Sequence, residues 1–159
     1  MNSEDYLTNL FGCRGRKAVV TGASSGLGAE MARALAKAGA DVLIVARRSE
    51  RLQQLATELA DTEGQIVCCT ADLSKRADIL RVAEQADRDL GGCDILVANA
   101  GTADRVPLKS MEEADFNEVL DLNVTTQWLL SKALFPLLSV SGNGRVINIA
   151  SIYGLGASV

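Results

Sequence analysis

The sequence contains no histidine. That absence excludes Ser-His-Asp and Cys-His nucleophilic catalysis, and it leaves most catalytic zinc sites without their usual ligand. Thiols are few and scattered. Cys13, Cys68, Cys69 and Cys93 form no C-x-x-C pair and sit mostly in or beside apolar runs, so they read as buried, reduced thiols of a cytosolic protein. No run approaches the ~18 apolar residues that a membrane-spanning helix needs. The start, "MNSEDYLTNLFGCRGRK", has acids and no apolar stretch, so it does not read as a secretory signal. A cytoplasmic location with no membrane partner is the expectation. Arg47-Arg48 and Lys75-Arg76 are the only adjacent basic pairs away from the "RGRK" near the start, and net charge is −4. No nucleic-acid partner is expected from that balance. There is no internal repeat, linker or low-complexity segment.

What remains is a chain of 159 residues, 48% hydrophobic and 23% charged, the balance of one soluble globular domain. Residues 1–14 read as an N-terminal extension and 15–159 as the domain. Short apolar runs alternate with amphipathic stretches. Strands are expected at 17–21 (KAVVT), 41–46 (DVLIVA), 65–70 (QIVCCT), 94–100 (DILVANA) and 144–150 (GRVINIA). Helices are expected at 26–40, at 49–64 with Ser49 as N-cap, and at 74–92 with Ser74 as N-cap. Ser110 and Glu113 match a capping box, opening a helical region that runs to Leu138 with a break or bend. Pro136 is expected to loosen its last turn.

Strands that are apolar throughout, separated by single helices, imply a parallel sheet covered on both faces. Right-handed crossovers make it a doubly wound, Rossmann-like α/β fold of about five strands. Such sheets bind ligands at the carboxyl ends of their strands, where strand order reverses.

The conspicuous residues fall at those strand ends. In "TGASSGLG", Gly22, Gly26 and Gly28 permit a tight turn and a close approach of phosphate to backbone. The helix start beyond them offers free N–H groups and a positive dipole end. Ser24 and Ser25 add hydroxyls, and Leu27 lies within the same turn. The spacing is G-x-x-x-G-x-G, neither G-x-G-x-x-G nor a P-loop. After the second strand come Arg47 and Arg48, where an acid would suit the ribose hydroxyls of NAD. Arginine there suits the 2′-phosphate of NADP, so NADP is expected before NAD. Asp72, with Leu73, ends the third strand. Its carboxylate either faces an adenine or organises the turn before Ser74. "ANAG" closes the fourth strand. Asn99, Ala100 and Gly101 either receive a flat cofactor or form a turn held by the Asn99 side chain. Asn123 lies inside the later helical region, where an amide bends the helix or binds water.

Those stations, in that order, resemble the short-chain dehydrogenase/reductase family. "TGASSGLG" resembles its cofactor turn, "ADL" its adenine contact at Asp72 and Leu73, and "ANAG" its "NNAG" element, with Ala98 in place of the first Asn. The resemblance implies an NAD(P)-dependent oxidoreductase acting on a secondary alcohol or ketone. It places the family's catalytic Asn at Asn123 and its Ser at Ser151. The family's Tyr and Lys form a Y-x-x-x-K pair about a dozen residues past that Ser. Tyr153 does not fit the pattern: four residues on stands Ala157, and no lysine follows Lys132. The expectation is therefore an N-terminal portion of such an enzyme, lacking the later part of the fold and without turnover on its own. Its apolar faces would favour homo-oligomers or self-association. The alternative is a non-catalytic dinucleotide-binding module or an inactive remnant. Overall likeness to bacterial members suggests sugar acids or 3-oxoacyl thioesters as substrates. No metal site is expected.

Overall fold

A computed structural model describes residues 10–103 and 106–151. Five strands form one sheet: β1 (Lys17–Thr21), β2 (Asp41–Ala46), β3 (Ile66–Thr70), β4 (Ile95–Ala98) and β5 (Arg145–Asn148). Their spatial order is β3-β2-β1-β4-β5, and every pairing is parallel. The expected doubly wound sheet is present. Strand order reverses between β1 and β4, which makes that gap the switch point.

The central strands are apolar along their inner positions because both faces are covered. Val19, Leu43 and Leu96 stand in register and face one layer, while Val20, Ile44 and Val97 face the other. The second layer belongs to helices α1 (Gly26–Lys37) and α2 (Ser49–Glu58), through Ala29, Ala32, Ala36, Leu52 and Leu55. The alanines let α1 lie close to the sheet. The first layer holds α3 (Arg76–Gln85), with Ile79 and Val82, and α5 (Thr126–Val140), with Leu130, Leu134 and Leu138 at four-residue spacing. Leu130 and Leu134 are fully buried. Such burial contributes about 1.5–3 kcal/mol per side chain.

The expected bend after residue 110 takes a definite form. Helix α4 (Glu113–Leu120) passes into a π-helical turn, Asp121–Thr125, and continues as α5. The helix runs through Pro136 to Val140.

Three expected serine caps are corrected. Ser49 is the first residue of α2, not its N-cap; Arg48 holds that place without a side-chain capping bond. Ser74 does not cap α3, which starts at Arg76; its hydroxyl donates instead to Asp72 Oδ1 at 2.8 Å. Ser110 belongs to a 3₁₀ turn, Leu108–Ser110, and donates to Pro107 O. The capping box lies two residues later, where the Glu112 N–H donates to the Asp115 carboxylate at 3.1 Å. For Ser74 and Ser110 a nearer acceptor claims the hydroxyl, as small hydroxyl side chains favour local turns.

Candidate functional site

The site forms where β1 to β4 end. β1 finishes in Thr21, which is completely buried. Its Oγ1 donates to Val97 O at 3.3 Å and accepts from the N–H groups of Asn99 (2.9 Å) and Ala100 (3.0 Å). Asn99 Nδ2 donates back to Thr21 O at 3.0 Å. One hydroxyl thus joins the end of β1 to the end of β4 across the switch point.

The chain leaves β1 through Gly22, whose φ of +67° is costly for any residue with a Cβ. A Cβ at Gly22 would also lie 2.8 Å from Asn99 Nδ2, so the turn and the Asn99 amide need each other. Gly28 packs directly on the Gly22 carbonyl. Gly26, with φ +56°, is different: a Cβ there would meet nothing within 4 Å. Its bare face is open. Ser25 is the N-cap of α1, and its side chain caps nothing. The first N–H groups of α1 therefore lack side-chain acceptors, which makes this helix start favourable for an anion.

Arg48 reaches back over this turn. Its Nε donates to Ser24 Oγ at 3.2 Å, and its Nη2 donates to Ser24 Oγ and Ser25 Oγ, both at 2.8 Å. Both hydroxyls accept from a cation, which leaves their protons to be donated outward. Among the described residues nothing accepts from Arg48 Nη1. A guanidinium presents five donors, so part of this one remains available.

Asp72 does organise its turn. Oδ1 accepts from the Ser74 hydroxyl at 2.8 Å and the Ser74 N–H at 3.2 Å. The Ser74 hydroxyl is the main reason its carboxyl titrates below the usual aspartate range, with Lys75 and Arg47 adding to the effect. Asp72 is thus an anion at neutral pH, near the Arg47 cation.

Gly22, Ser24, Ser25, Arg47, Arg48, Asp72, Leu73, Asn99, Ala100 and Gly101 line one cleft of about 550 Å³. Gly26, Leu27 and Gly28 form the adjoining first turn of α1. The structure therefore gathers the expected binding residues at one edge of the sheet. Asn123 is not in the cleft wall. It lies in the π turn and exchanges two bonds with Thr102: the Thr102 N–H donates to Oδ1 at 2.8 Å, and Nδ2 donates to Thr102 O at 2.7 Å. Ser151 is exposed, just past β5. Tyr153 lies outside the described residues.

Four participants were not singled out from sequence. Thr21 carried one signal, a hydroxyl ending an otherwise apolar run. Glu118 and Asp121 form the far wall of the cleft, and Asp121 pairs with Arg76, which also donates to Thr126 Oγ1 at 3.3 Å. Gln127 donates from Nε2 to Ala100 O. Helix-surface periodicity alone marks none of these three. No group of residues suited to a metal ion occurs among the described residues. None of their helices is long and apolar enough to cross a membrane.

The arrangement fits a dinucleotide. It offers an open glycine face at a helix start for a pyrophosphate, polarised hydroxyls and a partly uncommitted guanidinium for a further phosphate, and a cleft with room for adenosine.

Comparison with known proteins agrees. The family model described as short chain dehydrogenase matches residues 16–159. A rhamnolipids biosynthesis 3-oxoacyl-[acyl-carrier-protein] reductase of Pseudomonas aeruginosa is 39% identical over 151 residues, covering 92% of this chain and 59% of its own length. The solved Pseudomonas aeruginosa RhlG/NADP active-site complex superposes with a TM-score of 0.87 at 39% identity, over 94% of this chain and 59% of that one. A 7α-hydroxysteroid dehydrogenase complexed with NADH and 7-oxo glycochenodeoxycholic acid gives a TM-score of 0.90 at 30% identity, over 100% of this chain and 60% of that one. The chain spans somewhat over half the length of the curated relatives it matches. On its fold, its strand-end motifs and this similarity over nearly its whole length, the chain belongs to the short-chain dehydrogenase family of oxidoreductases.

Proposed function

We propose that residues 15–159 are the dinucleotide-binding part of an NADP(H)-dependent oxidoreductase that acts on a secondary alcohol or ketone. The observation that carries the choice of NADP is Arg48 spread over the Ser24 and Ser25 hydroxyls. A cation held beside two hydroxyl donors suits a phosphate dianion better than ribose hydroxyls. Arg47, next along the chain, reinforces the positive end of the cleft. Gly22, Gly26, Leu27, Gly28 and the start of α1 would hold the pyrophosphate. Asp72 and Leu73 would flank the adenine, and Asn99, Ala100 and Gly101 would support the rest of the nucleotide. When bound, the cofactor supplies or accepts a hydride. Asn123 would then serve by fixing the segment that follows β4, and Ser151 by donating a hydrogen bond to the substrate oxygen.

A second reading is a binding module without chemistry. It applies to these residues taken alone: residues 1–159 hold no Tyr-x-x-x-Lys pair. Without a cation-assisted Tyr, no described group exchanges a proton with the substrate oxygen at neutral pH. These residues by themselves are therefore expected to bind nucleotide and not to turn over substrate. The 3-oxoacyl-[acyl-carrier-protein] reductase among the relatives, and the 7-oxo glycochenodeoxycholic acid bound to the 7α-hydroxysteroid dehydrogenase, support a carbonyl substrate class. The complete enzyme is proposed to be cytoplasmic and to associate with copies of itself.

Calorimetric titration with NADP⁺ and NAD⁺ tests the reading. NADP⁺ is expected to bind at least about tenfold more tightly, one charge-assisted contact being worth that much. Binding of neither dinucleotide would overturn it.

A further inference from the structure

Gln127 is a polar residue on an apolar helix. Its neighbours in α5 at four-residue spacing, Leu130, Leu134 and Leu138, are core. Its own main-chain carbonyl accepts from the Ser131 hydroxyl at 2.9 Å, while its side chain reaches the end of β4. There Nε2 donates to Ala100 O, and Oε1 is buried with no partner among the described residues. A buried amide oxygen left unpaired carries a desolvation cost, so the Nε2 bond is retained against that cost.

The bond acts on a peptide that nothing else among the described residues holds. β4 ends at Ala98, and the last ladder bond there is Ile149 N–H to Ala98 O at 3.0 Å. Beyond it the chain is fixed by side chains. Thr21 Oγ1 takes the Ala100 N–H, Gln127 takes the Ala100 carbonyl, and Asn123 takes both main-chain groups of Thr102. Asn123 and Gln127 stand four residues apart, so they meet alternate residues of an extended segment.

A trans peptide is planar, with its C=O and the following N–H on opposite sides. Because Gln127 draws the Ala100 carbonyl toward α5, the Gly101 N–H turns away from α5. Gly101 lines the cleft, and no described residue accepts from its N–H. We infer that Gln127 is a positioning residue: it sets the Ala100–Gly101 peptide so that the Gly101 N–H faces the cleft as a donor to the bound nucleotide. This rests on the dinucleotide reading above.

The test compares wild type, Gln127→Leu and Gln127→Glu, titrated with NADP⁺ between pH 7.5 and 5, each affinity expressed relative to wild type at the same pH. NADP⁺ is used because it survives acid. Leucine removes the donor at every pH, and about tenfold weaker binding is expected throughout. Glutamate at pH 7.5 sets a carboxylate against the Ala100 carbonyl and is expected to be at least as weak. Burial against the Ala100 carbonyl raises that carboxyl above the ordinary glutamate range, so protonation restores a donor within this window and its relative affinity rises toward wild type as pH falls. A residue that only fills space shows no such recovery. Relative affinities that match wild type in both variants, or a Gln127→Glu deficit that does not change with pH, would overturn the inference. If Gln127→Leu fails to fold, the pH profile of Gln127→Glu decides alone. A wild-type chain that binds no dinucleotide instead overturns the nucleotide reading on which it rests.

Discussion

Asn123 and Thr102 hold each other by two hydrogen bonds, amide to main chain in both directions, at 2.8 and 2.7 Å. The π turn that carries Asn123 is thereby bound to the segment leaving β4. Replacing Asn123 with Ala removes both bonds and leaves two main-chain groups to water. A loss of about 1–2 kcal/mol is expected, seen as a lower urea midpoint with unchanged slope.

Arg48 and Arg47 should separate in binding. Arg48→Ala is expected to weaken NADP⁺ binding by about tenfold or more while changing NAD⁺ binding little, since the lost contact is to a phosphate. Arg47→Ala, with no bond to the glycine turn, is expected to do less. Equal losses for both cofactors would remove Arg48 from the 2′-phosphate site.

Two glycines of the same turn should respond differently. Gly28→Ala presses a methyl group into the Gly22 carbonyl. It should abolish dinucleotide binding and lower the melting temperature. Gly26→Ala meets no protein atom, so the fold bears only its positive φ, a cost of about 1–2 kcal/mol, while the methyl occupies the open face and weakens dinucleotide binding. Thermal melts with and without NADP⁺ tell the two apart.

Stability should fall in acid. Arg33 holds the Glu58 carboxyl below its usual range, the Ser74 hydroxyl does so for Asp72, Arg81 for Asp78 and Arg88 for Asp89. Each depressed group stabilises the fold above its unfolded value, near pH about 4, and that contribution is lost as pH falls through the lower folded value. Urea midpoints at pH 7 and pH 3 should differ accordingly, and Asp72→Asn should reduce the difference. The thiols move the other way. Burial pushes Cys93 up to about 12 and raises Cys69, so at pH 8 both should resist a disulfide reagent until urea unfolds the chain.

Apolar surface points to association. Trp128 and Phe135 on α5 are 60% and 64% exposed, and Val146 and Ile147 on β5 are also open. Sedimentation velocity should show oligomers at micromolar concentration, and the double change Trp128→Glu, Val146→Lys should reduce them. A strictly monomeric wild type would contradict this.

The layers and the switch point were legible because continuous apolar runs such as DVLIVA allow only a buried parallel strand. The cleft was legible because small residues and arginines stand at strand ends, where the chain must turn. The capping serines were misread because Asp72, Pro107 O and the Glu112–Asp115 pair compete for local bonds, and that competition is settled in three dimensions. Thr21 and Gln127 escaped notice for the same reason: their partners lie 78 or 79 and 27 residues away in sequence.

The π turn from Asp121 to Thr125 constrains length as well as identity. Each helical residue advances the helix by about 100°, and a π turn absorbs one extra residue within the helix. Deleting a single residue between Asn123 and Leu130 would swing Leu130, Leu134 and Leu138 off the sheet or pull Asn123 from Thr102. A substitution at an outward position such as Val124, 60% exposed, leaves that register intact, whereas a one-residue insertion or deletion cannot be absorbed without giving up either the core or the clamp.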